Sequence, residues 1–430
     1  MHRRLALKSL LAGAGSLIAS RLKADQAEIP STSPPKSTGK FRKKLRAFDD
    51  MMSDFLQKHR APGAALAVTR NSRLMYARGF GLADVDNEIP VQPDSLFRIA
   101  SISKPVTAVA VMQLAEKSRF GLDDRIFQKL PATEWLPEKH DQRLHDITIR
   151  HLLQHRAGWD REKSFDPIGR PEDVARVLGK SLPVNAADVT RYTLTLPLDF
   201  DPGVRYAYSN VGYLLLGRLI EIASGQSYVD YVRQHVLAPV GISRMQLGRA
   251  WKDDLAPGEV RYDSGSRQGP AVNGPQIGAK VPVAYGAENI EAFEAHGGWI
   301  ASAIDLVRFA SAFDHLETSR LLNAASIHEM WSRPEGPAGY ESDGQPSASY
   351  YGCGWQIRPI GDPDRLNIWH TGMISGTSTI LVKRHDGLNW AVLFNSDRDR
   401  SGKPLASLID PLIHQAADAV RSWPDRELSL

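Results

Sequence analysis

F-R-I-A-S-I-S-K-P, Phe97 to Pro105, is the stretch on which the reading of this 430-residue chain turns. The apolar residues after it, Val106, Ala110, Met112, Leu114 and Ala115, predict a helix over about 101–118. It is apolar nearly all round, so it should be central. Pro105 is acceptable there because a first-turn amide has no intrahelical partner. Ser101 and Lys104 lie three residues apart, which puts them on one helix face. A lysine in a partly dry site has a lowered pKa and can take the proton of a neighbouring hydroxyl. The Ser101 amide, at the helix start, can also face a developing oxyanion. Ser103 points to another face. An S-x-x-K string alone is common and usually marks a solvated helix face, so its company decides.

Two further clusters supply that company. Y-S-N, Tyr208 to Asn210, follows Asp201-Pro202-Gly203 and precedes an apolar helix over Val211 to Ile222. A phenol near two cationic groups can become phenolate and act as general base, and the nearby amide can hold a substrate carbonyl. The ordinary reading is a tyrosine beside a helix-capping Ser/Asn pair. H-T-G, His370 to Gly372, ends a predicted strand. Gly372 lets an acyl substrate lie against the strand, and the Met373 N–H can complete an oxyanion hole. A strand-end histidine is otherwise a structural residue.

Together and in this order the three clusters resemble the serine β-lactamase and penicillin-binding protein superfamily, whose sets are S-x-x-K, then S-D-N or Y-x-N, then K-T-G or H-x-G. I-T-I-R-H-L-L-Q-H-R-A-G at 147–158, P-G-V-R-Y-A-Y-S-N-V-G-Y at 202–213 and H-G-G-W-I-A-S-A-I-D-L at 296–306 resemble its class C branch. The resemblance covers roughly residues 41–420. It implies that Ser101 forms an acyl-enzyme, that Lys104 activates it, and that Tyr208 relays protons to the leaving group and then activates water. It further implies that Asn210 orients the substrate and that His370 supports the leaving side or a substrate carboxylate. No cofactor is implied.

The departure from class C is His370, where those β-lactamases carry lysine. A histidine of ordinary pKa is mostly neutral at pH 7 and grips a carboxylate poorly. H-T-G is similar to D-alanyl-D-alanine carboxypeptidases, D-aminopeptidases and esterases of the superfamily. The expectation is therefore a serine hydrolase acting on an ester or a small amide or peptide. The alternatives are a true β-lactamase and a non-catalytic penicillin-binding or sensor protein.

Charge argues against nucleic acid as a partner. The formal net charge is +4. Residues 1–44 hold ten of the basic side chains and two acids, leaving 43 basic and 47 acidic residues beyond them. Arg3 and Arg4 precede an apolar run from Leu5 to Ala19, the layout of an export signal of twin-arginine type over 1–24. Residues 25–40 then read as a tether. The run is too short to span a membrane, so the expectation is an exported, periplasmic or extracellular protein without an integral span. The partner is a small-molecule or peptide substrate. Cys353 is the single cysteine, which excludes an internal disulfide and fits a small buried hydrophobe. His151 and His155 have metal-ligand spacing, with His140 and His145 nearby, but no H-E-x-x-H or acidic third ligand joins them, and no metal site is expected. Asp160-Arg161-Glu162-Lys163 reads as solvated loop charge. There is no G-x-S-x-G elbow and no phosphate-binding glycine loop.

Leu45, Phe48, Met52, Phe55 and Leu56 predict an amphipathic helix, and Ala64 to Arg70 with Leu74 to Phe80 an antiparallel hairpin. Helices are expected at Thr148 to His155, Ser209 to Ser224 and Tyr228 to Leu237, with 250–290 as a surface excursion. Strands return at Trp355 to Pro359, Leu366 to His370, Thr377 to Lys383 and Asn389 to Asn395, before a last helix over Leu405 to Arg421. The fold class is α+β: an antiparallel sheet formed by both chain termini and flanked by helices, with an inserted, mainly helical lobe. The hydrolase domain is placed at 41–425, its α/β lobe at about 41–100 and 296–425 and its helical lobe at about 101–295.

Overall fold

Valine, alanine and leucine crowd the Gly63–Arg70 strand so fully that all but its last residue are buried, as befits a strand covered on both faces. The computed structural model describes residues 35–429; the export-signal reading of 1–24 and most of the 25–40 tether lie outside the described residues. Among them, nine strands form the main sheet. Its path runs Ser37–Thr38, Arg73–Asp84, Gly63–Arg70, Leu388–Phe394, Thr377–Lys383, Asp362–Ile374, Gln356–Ile360 and Tyr350–Tyr351, with Ile89–Pro90 pairing beside Arg73–Asp84. Every pairing is antiparallel. The two ends of the chain meet where Leu388–Phe394 lies on Gly63–Arg70, Val392 opposite Leu66 and Ala391 opposite Ala67.

Because side chains alternate along a strand, the two faces feed two cores. Ala64, Leu66 and Val68 join Trp390, Val392 and Phe394 under the helices Arg46–His59 and Leu405–Asp418. Phe48, Met52, Phe55 and Leu56 are the stripe that the first helix lays down, each worth about 1.5–3 kcal/mol of burial. Ala65, Ala67 and Ala391 face the larger core, which holds the Ser103–Glu116 helix and the Asn210–Ser224 helix. Twelve of the fourteen residues of Ser103–Glu116 are buried, the central helix that its composition predicts.

Several boundaries differ from expectation. The helix at 101 opens as a tight turn over Ala100–Ile102 before the α-helix begins at Ser103. The Thr148 segment is shorter, Ile149–Leu153, capped by Thr148. The segment from Tyr228 widens after Tyr231 into a π turn over Val232–Leu237. The H-T-G strand extends to Ile374, so Gly372 lies within it. The 250–290 segment is not a purely surface excursion. It forms a hairpin of Gln268–Pro270 and Lys280–Pro282 and buries Tyr262, Ala284 and Ile290. Its reason is Arg98, whose buried guanidinium donates to the Ala284 carbonyl at 2.7 Å and the Arg249 carbonyl at 2.6 Å.

Candidate active site

The turn that presents Ser101 is held from below. Ile99 N–H donates to the Trp299 carbonyl at 3.0 Å, continuing a small sheet in which Phe97–Arg98 pairs with Trp299–Ala301. Thr377 and Thr379 of the Thr377–Lys383 strand donate their hydroxyls to the carbonyls of Arg98 and Ile99, at 3.0 and 3.1 Å. Ala100 then takes φ of 47°, a left-handed conformation that costs a non-glycine residue about 1 kcal/mol or more. The cost lies immediately before the predicted nucleophile, where a sharp turn lifts Ser101 onto the helix start. Ser103 is fully buried and donates to the Ala100 carbonyl at 2.7 Å, which takes it out of the reaction centre.

Three of the predicted residues converge on one oxygen and one nitrogen. Lys104 Nζ lies 3.0 Å from Ser101 Oγ, and Tyr208 OH lies 2.8 Å from the same atom. Lys104 is completely buried and also donates to Asn210 Oδ1 and to the His296 carbonyl, both at 2.8 Å. Burial holds its pKa well below the ordinary lysine value; Asp166 opposes that effect and Arg161 adds to it. With two N–H groups tied to obligate acceptors, the third position on nitrogen faces Ser101, where the neutral form of the amine carries its lone pair. Tyr208 differs from the sequence reading. Burial raises its pKa, so the resting group is a phenol that donates to Ser101 rather than a phenolate.

Asn210 and His370 are also not placed as the resemblance implies. The amide of Asn210 is spent within the protein: Oδ1 accepts from Lys104, and Nδ2 donates to Asp166 Oδ2 at 2.6 Å. His370 is buried, its Nδ1 at 2.7 Å from the Thr371 carbonyl and its Nε2 at 2.9 Å from Tyr351 OH. A carbonyl only accepts, so Nδ1 carries the hydrogen and Nε2 accepts from the phenol. Burial, with Lys104 adding to it, lowers the His370 pKa to about 3, so the ring is neutral at pH 7 and offers no N–H to a substrate carboxylate.

Gly372 has a reason other than room for substrate. A Cβ there would lie 2.1 Å from the Ile99 carbonyl oxygen, so the missing side chain lets the strand press against the turn that carries Ser101. Met373, next along the strand, sits opposite Ser378 and is 40% exposed.

Sequence reasoning missed Arg161, Asp166, Tyr351 and the backbone of His296. Arg161 is not simply solvated loop charge: its guanidinium lies 4.8 Å from the Tyr208 ring centre. Asp166 sits in an aperiodic stretch that gave no signal. Tyr351 lies two residues before Cys353, in a stretch that was read only for its cysteine. His155 packs its ring on Tyr208 and Tyr351, at 4.2 and 4.5 Å, and its Nδ1 accepts from Ser209 N–H, so it is scaffold. His151 caps its own helix through Thr148 N–H. Among the described residues no group of His, Cys, Asp and Glu is arranged to hold a metal ion. Cys353 is buried, and burial pushes its thiol up to about 12. No helix among the described residues is long and apolar enough to cross a membrane.

A family profile described as Beta-lactamase matches residues 48–411, most of the chain. The chain belongs to the β-lactamase family. Among its relatives are Penicillin-binding protein 4* of Bacillus subtilis (strain 168), 28% identical over 346 residues, and Protein flp of Staphylococcus aureus (strain MW2), 25% identical over 338. These alignments cover 77% and 78% of the chain but 67% and 59% of the relatives. Two solved structures share the β-lactamase and penicillin-binding protein fold. D-amino acid amidase from Ochrobactrum anthropi SV3 superposes with a TM-score of 0.65 at 22% identity, over 88% of this chain and 99% of that one. EstCE1, a hydrolase with promiscuous acyltransferase activity, gives 0.64 at 20% identity, over 88% and 99%. At those identities the likeness shows the fold alone.

Proposed function

We propose that the protein is a serine hydrolase that works through an acyl-enzyme on Ser101 and cleaves an ester or a small amide or peptide, of D-amino-acid type in the peptide case. The observation that carries this reading is the pair of contacts on Ser101 Oγ, from Lys104 Nζ at 3.0 Å and Tyr208 OH at 2.8 Å. Neutral Lys104 takes the Ser101 proton as Oγ attacks the carbonyl carbon. The backbone N–H groups of Ser101 and Met373 receive the oxyanion. The leaving group takes the Tyr208 proton, and Lys104 returns its proton to the phenol. In deacylation a water proton passes through Tyr208 to Lys104 and then back to Ser101, restoring the resting site.

The neutral, doubly bonded His370 supports ester or simple amide substrates over β-lactams, because it holds no charge for a β-lactam carboxylate. One observation favours a β-lactamase instead: the exposed Arg161 guanidinium, 4.8 Å from the Tyr208 ring centre, supplies a cation for a substrate carboxylate. Purified protein assayed on p-nitrophenyl butyrate, a D-alanyl-D-alanine peptide and a chromogenic cephalosporin separates these readings. The ester or the peptide should turn over fastest; a cephalosporin turned over much faster than both would reverse the ranking. The basic, apolar start of the chain supports export, and periplasmic or extracellular recovery of the expressed protein is the corresponding check.

A further inference from the structure

The segment 160–168 lies outside all three motifs, yet two of its charges reach the catalytic pair. The Asp166 carboxylate can only accept, so the Asn210 amide must turn Nδ2 toward it, at 2.6 Å. That choice leaves Asn210 Oδ1 facing Lys104 Nζ at 2.8 Å. Without Asp166 the amide is free to rotate and set N–H groups against the lysine amine, donor against donor.

Asp166 is itself anchored. Its Oδ1 accepts from Ile168 N–H at 3.2 Å, closing the Pro167–Gly169 turn, and Ile168 packs on the side chains around Val174 and Phe293. Arg161 approaches the pair across the Tyr208 ring. Its own carboxylate neighbour, Glu162, is 3.6 Å away and almost fully exposed. The loop is pinned on either side of Arg161: Asp160 accepts from Arg205 at 2.6 Å, and Lys163 donates to the Asp199 carbonyl at 2.8 Å.

We infer that Asp166 is a positioning residue for the Ser101–Lys104 pair, acting through Asn210, and that Asp166 and Arg161 bias the charge on Lys104 in opposite senses. The inference rests on the serine-hydrolase reading above. A carboxylate favours the ammonium form of Lys104 and a guanidinium disfavours it. The other groups facing Lys104 are the rings of Tyr208 and Tyr213, at 4.8 and 5.6 Å, and the imidazoles of His155, His296 and His370. Burial keeps all five uncharged near neutral pH. The full charges acting on Lys104 therefore come from the 160–168 segment.

The test measures two quantities from about pH 4 to 10: the rate of Ser101 labelling by a fluorophosphonate and kcat/KM on p-nitrophenyl butyrate. It compares the wild type with Asp166→Asn, Asp166→Ala and Arg161→Gln. Lys104 must be neutral to act as base, so the acid limb reports its charge. Asp166→Asn keeps an acceptor for Asn210 and should move that limb to lower pH by at least about half a unit, while Arg161→Gln should move it to higher pH. Asp166→Ala should lower the plateau at least about tenfold through loss of the anchor. A general loosening of the site would not move two limbs in opposite directions. Limbs that stay in place or move together, or an Asp166→Ala plateau equal to that of the wild type, would overturn the inference. If Asp166→Ala does not fold, the other two variants still decide. Wild-type protein unlabelled at every pH would instead remove the hydrolase reading itself.

Discussion

Lys104 Nζ has three neighbours within hydrogen-bonding distance, and two of them, Asn210 Oδ1 and the His296 carbonyl, can only accept. In the proposed mechanism that asymmetry aims a buried lysine at Ser101 as its base. Lys104→Ala should lower kcat/KM about 10³-fold. Tyr208→Phe should be selective, because a phenol that protonates a leaving group matters little when the leaving group is p-nitrophenolate. Because kcat/KM reports acylation and not deacylation, it should fall about 10²-fold or more on a peptide amide and clearly less on p-nitrophenyl butyrate; equal losses on both would mean that Tyr208 is needed for Ser101 activation alone. At this scale the sequence made Ser101, Lys104 and Tyr208 legible through spacing and order. It did not show which side chains Asn210 and His370 bond, because those partners, Asp166 and Tyr351, lie 44 and 19 residues away along the chain.

Elements position those side chains through contacts between backbones. The strand bearing His370 presses Gly372 against the Ile99 carbonyl, and the next strand clamps residues 98 and 99 with two threonine hydroxyls. A methyl group at 372 has no room, since its nearest atom is backbone at 2.1 Å. Gly372→Ala should therefore destabilise the protein by about 3 kcal/mol or more and displace the Ser101 turn. Thermal unfolding and kcat should both report it; a variant with unchanged melting temperature and activity would show that the strand and turn are not rigidly apposed. The glycine was visible in the sequence but its reason was not, because a close approach leaves the same mark whether the neighbour is substrate or protein. The hairpin at 268–282 was missed for a related cause. The segment around it supplies the Arg249 and Ala284 carbonyls to a buried arginine, and periodicity in 250–290 does not record what a segment packs on.

Across the whole molecule the sheet was legible because its strands alternate or run apolar at both chain ends, and their pairing closes the fold. The pH response of stability is a whole-molecule property that the sequence did not disclose. Burial lowers the pKa of His151 to about 4 and that of His370 to about 3, and it holds His155 and His296 well below the ordinary value. Unfolded, all four take up protons below about pH 6.5. The unfolded state then binds more protons than the folded one, so stability should fall as pH drops from about 6.5 toward 4. A melting temperature on the order of 10 °C lower at pH 5 than at pH 7 is expected, with a shallower slope in His151→Gln. A flat profile over that range would mean that these rings are solvated.

The most direct test of the central claim is peptide-mapping mass spectrometry of protein exposed to a fluorophosphonate. A single adduct on Ser101 that is absent in Ser101→Ala and slow to form in Lys104→Ala is the predicted result. An adduct on another residue, or labelling that survives Ser101→Ala, would contradict the account.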